Sequence, residues 1–420
     1  MGKGIRSVTL LVLMGLLMGP SIYSQTQSGD LEGHLNSLVT ALPSSGGNDY
    51  VPPTPSELLA WEQLVADVLN GNILPANAAA NSLGYDLTQY TDTGRGLANP
   101  YYLLEEKLPN TKYWGVYAFN PNACRDNLVV QAPHPRYDSK TGSQAIFCFT
   151  RLSAKALFLS GTHRCNHDSL SSCSGTTGAC GSSGPFRISD MAHNDNSIFH
   201  ATTKATSIHD SASVFVQLHG FSMQASDPFV ILSNGSRDTP TIDYCARIRD
   251  GLLLADTSLT FKIGHIDLAW TRLLAFTNTQ GRYLNNSANP CSTSATNGTG
   301  RFIHMEQERT QLRADSTGWN KVFHALEYAF TCTPPVGLED SKTTPSCFAY
   351  PNPNRTGRLK IDRPRISELQ LVDLKGILKV DQKYSYGSAT DLDVSGLSKG
   401  IYFLRTNGED GQCFQKVLIQ

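Results

Sequence analysis

The chain has 420 residues, is 40% hydrophobic and carries a formal net charge of −1. That is enough apolar material for more than one folded core, and it leaves neither a basic field for nucleic acid nor an acidic tail. Nucleic acid is therefore excluded as the expected partner, and a chain of this length is expected to fold as two domains.

Lys3 and Arg6 precede a short apolar run over 8–18, which Gly19-Pro20 breaks before the small residues of 21–24. This order predicts a signal peptide over 1–24, with Ser24 the last residue removed. The run is shorter than the about 20 apolar residues a membrane span needs, so the mature protein is expected to be soluble and exported. The first cysteine is Cys124, which argues against a lipid-anchored N-terminus. The ten cysteines form an even set without CxxC spacing. In an oxidising compartment that favours disulfides, with the pairing left open, over a zinc ribbon or a thioredoxin-type site.

Residues 25–110 read as a leader followed by a helical N-terminal segment. The part up to about 53 is rich in Ser, Gly, Gln and Pro and is expected to be loose. Thr54-Pro55-Ser56-Glu57 then predicts a capping box with proline at the first helical position. Leu58, Trp61, Leu64, Val65, Val68 and Leu69 recur at helical spacing until Asn70-Gly71.

Over 111–330, apolar runs at 128–131, 156–160, 214–218, 229–232, 259–263 and 302–305 alternate with polar or helix-compatible stretches, including 308–313 and 319–330. This predicts an α/β domain with a mixed, largely parallel sheet flanked by helices, in which ligands sit beyond the carboxyl ends of strands. Residues 331–347, with Thr333-Pro334-Pro335 and Thr344-Pro345, read as a linker. Short strands at 359–361, 368–372, 377–380, 401–404 and 416–419 then predict a small C-terminal β-sandwich over 348–420.

Four motifs stand in order in this tail: Tyr350-Pro351-Asn352-Pro353, Leu371-Val372-Asp373-Leu374-Lys375-Gly376, Val394-Ser395-Gly396-Leu397-Ser398-Lys399-Gly400-Ile401-Tyr402, and the terminal Lys416-Val417-Leu418-Ile419-Gln420. The tail resembles the C-terminal sorting domain of type IX secretion cargo in Gram-negative bacteria. The resemblance implies passage through periplasm and outer membrane, the type IX machinery as a partner of residues 348–420, and a secreted or cell-surface protein. Any activity must then lie upstream.

The residues that could carry chemistry stand where apolar runs end. His134 lies between Pro133 and Pro135, which disfavours a helix and presents the ring from an extended turn, with Asp138 able to fold back beside it. Asp138 could instead cap Lys140-Thr141-Gly142 or the helix after it. His219 closes 214–218 and precedes Gly220, which permits close approach of a ligand. His163-Arg164 follow 156–160. In 301–309, Phe302, His304 and Glu306 share one strand face, and a carboxylate on a buried strand is costly unless paired or functional. Glu308, Arg309 and Arg313 could be ordinary surface pairs, and most of His167, His193, His200, His209 and His265 read as ordinary core or surface histidines.

Ala132-Pro133-His134 with Asp138 and Thr141, then Leu218-His219-Gly220, then Glu306 and Arg309 together resemble the zinc-dependent amidohydrolase and carboxypeptidase-like superfamily, in its N-formylglutamate amidohydrolase or poly-γ-glutamate hydrolase branch. The resemblance implies that His134, Asp138 and His219 hold Zn²⁺, that Glu306 is the general base, and that Arg309 clamps a substrate carboxylate, with His163, Arg164 and Arg282 as further substrate-binding residues. The family pattern has Glu where this chain has Asp138, so Asp190 or His163 stands as the alternative ligand. The function implied is a secreted zinc hydrolase of amide bonds in a small-molecule or peptide-like substrate, acidic N-acyl or γ-glutamyl bonds included. The alternative is a secreted binding or adhesion protein that keeps the fold without turnover. A serine hydrolase is disfavoured because the chain has no Gly-x-Ser-x-Gly elbow; Gly181-Ser182-Ser183-Gly184 reads as a disulfide-tied surface loop.

Overall fold

The computed structural model describes residues 25–95, 99–332, 348–362, 365–374, 376–387, 390–408 and 411–420. The expected signal peptide and most of the expected linker lie outside the described residues. The chain divides into two compact units at residue 335.

The first unit opens with β1 (Gln25–Gly29), α1 (Leu31–Thr40), α2 (Pro55–Leu69), α3 (Ile73–Ser82), β2 (Tyr85–Asp92), β3 (Asn99–Glu106), β4 (Val116–Phe119) and β5 (Arg125–Ala132). Then come α4 (Thr141–Leu152), β6 (Ala154–Leu159), a small hairpin of β7 (Thr176–Thr177) and β8 (Gly184–Pro185), α5 (Ile198–His209), β9 (Val214–Gly220) and β10 (Val230–Ser233). The unit ends with α6 (Tyr244–Ala255), β11 (Phe261–Ile263), α7 (Thr279–Leu284), β12 (Phe302–Gln307), a π turn over Arg309–Arg313, and α8 (Ser316–Ala329).

Ten strands form one mixed sheet in the order β1-β2-β3-β4-β6-β5-β9-β12-β10-β11. Its centre, β6-β5-β9-β12, is parallel throughout. The expected α/β class is what the chain adopts. The stretch up to 53 differs from the loose leader expected, because it holds β1 and α1. Leu31 and Leu35 are fully buried against the α4 side of the sheet, which gives that polar segment its anchor. With β2 and β3 also in the sheet, 25–110 and 111–330 belong to the same compact unit.

The capping box forms at α2: Glu57 N–H donates to Thr54 Oγ1 at 3.3 Å and Thr54 N–H to Glu57 Oε2 at 2.8 Å. The apolar stripe of α2 buries Trp61, Leu64, Val65 and Val68, and Trp61 Nε1 donates to Thr202 Oγ1 of α5 at 2.8 Å. The sheet therefore has two buried faces. Leu128, Val130, Val216, Leu218, Ile303 and Met305 meet α1, α4, α6 and α8 on one face, while Val129, Phe215 and Phe302 meet α2 and α5 on the other. Both being covered, the central strands read as continuous apolar runs.

On the α2 and α5 face the period-two pattern changes chemistry toward the carboxyl edge. Val129 gives way to Gln131, Phe215 to Gln217 and His219, and Phe302 to His304 and Glu306, all buried. Polar groups enclosed in this way must find partners or mark a site.

Three disulfides occur among the described residues, Cys124–Cys332, Cys165–Cys180 and Cys173–Cys291, while Cys148 and Cys245 are buried thiols. The second unit has a three-stranded sheet of β13 (Phe348–Tyr350), β14 (Arg358–Asp362) and β17 (Thr390–Asp393), and a four-stranded sheet of β15 (Ile366–Asp373), β16 (Leu378–Gly387), β18 (Gly400–Gly408) and β19 (Gly411–Ile419). Both are antiparallel, and alternate residues such as Leu369, Leu371, Leu404 and Val417 build a shared core.

Candidate metal centre

Register sets the site. β5, β9 and β12 run parallel, with Gln131 opposite Gln217 and His219 opposite Glu306. Their carboxyl ends therefore deliver side chains to one place. His134 stands two residues beyond β5 in a turn closed by Asp138 N–H to His134 O at 2.9 Å. Asp138 is also held by its carbonyl, which accepts Thr141 N–H at 2.9 Å and Thr141 Oγ1–H at 2.7 Å. The residue capping α4 is Lys140, in a left-handed conformation, with no side-chain cap. The Asp138 carboxylate thus does not cap that helix and faces the histidines.

His134 Nδ1 lies 3.3 Å and His219 Nδ1 3.2 Å from the same oxygen, Asp138 Oδ2, which also accepts Gly220 N–H at 3.3 Å. One ligand atom from each of the three lies within 4.8 Å of the others, and all three are buried. Each imidazole is held by its far nitrogen. His134 Nε2 meets Asp190 Oδ1 at 2.8 Å, and His219 Nε2 meets Gln217 Oε1 at 3.2 Å. These partners accept a hydrogen bond from each Nε2 and so turn both Nδ1 atoms toward Asp138, where a cation could stand in place of the shared proton.

Asp190, beside the short 3₁₀ turn Met191–His193, is 1% exposed and gathers several charged donors. Arg164 Nε and Nη2 approach its Oδ2 at 3.0 and 2.5 Å, and His193 Nδ1 approaches Oδ1 at 3.0 Å. Burial raises the Asp190 pKa, but Arg164, His193 and His134 override it and hold the carboxyl well below its usual range. Asp138 is likewise held low by His134 and His219 against the cost of burial. Burial and Arg164 depress His134, yet Asp190 and Asp138 win and raise it, whereas burial brings His219 down to about 4.

Glu306 completes the cluster. It is 6% exposed, its Oε2 has no hydrogen-bond partner, and burial, reinforced by the Asp138 charge, lifts its pKa to about 8. His304, two residues earlier on the same face, lies tilted against the His219 ring with centroids 4.3 Å apart and has an unpartnered Nδ1. His219, His304 and Glu306 form a second group of ligand-type atoms within 4.8 Å.

The remaining expected site residues fall in three places. His163 and Arg164 are at the rim, where Tyr137, 37% exposed, packs edge-on to His163 and under the Arg164 guanidinium. Arg282 is buried away from these groups, its guanidinium donating to Phe276 O, Ser174 Oγ, Pro290 O and Cys291 O. Those donors are occupied by loop structure. Arg309 is exposed on the π turn. The arginine that turns inward is Arg313, which donates to Gln307 O, Ser139 O and Phe221 O.

Gly220 leaves room for this arginine and has no left-handed backbone. A Cβ there would lie 2.3 Å from Arg313 Cζ. Sequence reasoning passed over His193 and His304 as site residues. The one available signal for His304 was its place on the Glu306 strand face; His193 is reached only through Asp190.

Comparison with known proteins is decisive for the tail. Residues 349–420 match the secretion system C-terminal sorting domain family. The tail is a sorting domain for export. It implies the type IX machinery as partner and a secreted or cell-surface destination for the chain that carries this sorting domain. A search of curated proteins found no match. Among solved structures, a "Putative carboxypeptidase A" from Shewanella denitrificans aligns at 11% identity and TM-score 0.28, covering 56% of this chain and 60% of that one. An endo-β-1,4-mannanase from Cellulomonas fimi aligns at 8% identity and TM-score 0.14, covering 94% of this chain and 93% of that one. At such TM-scores the likeness says nothing about chemistry.

Proposed function

We propose that the first unit is a metal-dependent hydrolase acting outside the inner membrane on amide bonds of peptide-like or acidic N-acyl or γ-glutamyl substrates. The observation that carries this reading is the convergence of His134 Nδ1, His219 Nδ1 and Asp138 Oδ2. The donor set fits a divalent ion of the zinc type, which takes imidazole nitrogen and carboxylate oxygen in catalytic sites with three protein ligands. The charges fit as well. Asp138 and Asp190 are both held ionised, and Arg164 balances one of them, so a cation can replace the proton that otherwise satisfies the His134–Asp138 pair.

His134, Asp138 and His219 would hold the ion, which when bound supplies Lewis acidity toward a carbonyl oxygen and toward water. Glu306, its ionised form favoured by a cation held beside it, would take the proton of the attacking water on its unpartnered Oε2 and pass it to the leaving nitrogen. Asp190 and Gln217 would keep both imidazoles aimed. Arg164 and His163 at the rim supply positive or polar groups for an acidic substrate. Metal analysis of the purified secreted protein tests the reading: zinc bound at this site is expected, with His219→Ala losing one equivalent of it together with amide hydrolysis. Hydrolysis unchanged in His219→Ala would sink it, and a binding protein without turnover would then be the better account.

A further inference from the structure

A second set of ligand-type side chains, two of the three buried, lies at the opposite end of the sheet. β10 runs antiparallel to β12, with Val230 opposite Gln307 and Ser233 opposite His304, and β11 runs parallel to β10. The carboxyl ends of β10 and β11 therefore lie at the edge where β9 and β12 begin, away from Asp138 and Glu306. His265 follows β11 at that edge, and Asp243 and Cys245 open α6.

Three observations meet there. Asp243, Cys245 and His265 each offer one ligand atom within 4.8 Å of the others. The His265 side chain is fully enclosed, and its Nε2 lies 2.9 Å from Asp243 Oδ2, while its Nδ1 is buried with no partner. Cys245 is 1% exposed and remains a thiol, whereas Cys124–Cys332, Cys165–Cys180 and Cys173–Cys291 are disulfides among the described residues. Asp243 approaches the Nε2 side of the ring, and the carboxylate, imidazole and thiol, with ligand atoms within 4.8 Å of one another, make a mixed oxygen, nitrogen and sulfur donor set.

We propose that Asp243, Cys245 and His265 form a second cation site, for a thiophilic divalent ion such as Zn²⁺, which fastens the start of α6 to the end of β11. Sulfur with imidazole selects zinc-type ions over magnesium or calcium. On binding, the Cys245 S–H proton is released to solvent as the sulfur–metal bond forms. The two positive charges are then balanced by the Cys245 thiolate and the Asp243 carboxylate, so the site is neutral. Asp243 Oδ1 keeps its other task, accepting Ala246 N–H at 3.0 Å as the cap of α6.

Sulfur separates this site from the catalytic one, because His134, Asp138, His219, His304 and Glu306 provide none. The test is titration of metal-free full-length protein with Co²⁺. The expected result is two equivalents bound, with a thiolate-to-cobalt charge-transfer band in the near ultraviolet that Cys245→Ser abolishes, one equivalent remaining. His265→Gln should weaken the sulfur-linked equivalent at least tenfold, and His219→Ala should leave the band intact while removing the other equivalent. Absence of the band from the wild-type protein, or its persistence in Cys245→Ser, would overturn the proposal. If Cys245→Ser does not fold, the wild-type band and its response to His265→Gln decide.

Discussion

Asp190 and Gln217 hold the two central histidines by the same nitrogen but with different charge. Asp190 is an anion fixed by Arg164 and His193, so it raises the basicity of His134, while Gln217 is neutral and itself accepts Asn278 Nδ2–H at 2.7 Å. Removing the anion should matter more. Asp190→Asn is expected to lower zinc affinity about 10- to 100-fold, with Gln217→Ala at the low end of that range, both read by competition with a chelator. Equal affinity in Asp190→Asn would show that His134 is aimed by its prolines alone. Glu306 makes a separable contribution. Glu306→Gln should keep its zinc and lose about 10²- to 10⁴-fold in kcat; loss of zinc together with activity would make it a ligand instead.

Local sequence explains the elements better than it explains the site. Thr54, Glu57 and the stripe from Leu58 to Leu69 specify α2 without outside help, and Thr54→Ala should cost about 1 kcal/mol in a denaturant melt. Trp61→Ala should cost about 3–5 kcal/mol, because it empties a place among Tyr85, Trp114 and Tyr117. α1 shows the opposite case. Its helix lay hidden in a polar stretch because its docking depends on distant partners, among them His34 Nε2 at 2.8 Å from Glu105 Oε1 of β3. The bond to Glu105 outweighs partial burial and raises the His34 pKa above 6.5. A raised folded value stabilises the protein fully below the unfolded pKa and is lost as pH rises through the folded one. The stability gap between wild type and His34→Gln should therefore be widest below about pH 6, at no more than about 1 kcal/mol for so exposed a pair, and should close as the pH rises. A gap independent of pH in thermal melts would show that the ring acts only by stacking on Tyr90.

At the scale of the whole molecule, Cys124–Cys332 joins residues 208 apart and so closes the part of the first unit from β5 to α8. Cross-linking so long a loop restricts the unfolded chain, and replacing both cysteines by serine should cost about 2–5 kcal/mol; an unchanged denaturation midpoint would refute that role. The sorting domain is an address, so removal of 349–420 should keep the first unit inside the cell envelope, read by fractionation and blotting. What the residue order determined by itself is local: the run lengths and turn residues of the strands, the capped α2, the export tail with its ordered motifs, and histidines placed where apolar runs stop. Periodicity carries that information because strands and helices repeat over a few residues. Only the tertiary structure decided that Asp138 faces two histidines instead of capping α4, that Arg313 and not Arg309 turns inward, and that Asp190, 56 residues from His134, holds it. Those choices follow from parallel register and long-range ion pairing in a buried space, where the cost of an unpartnered charge selects the partners and no short sequence pattern records them.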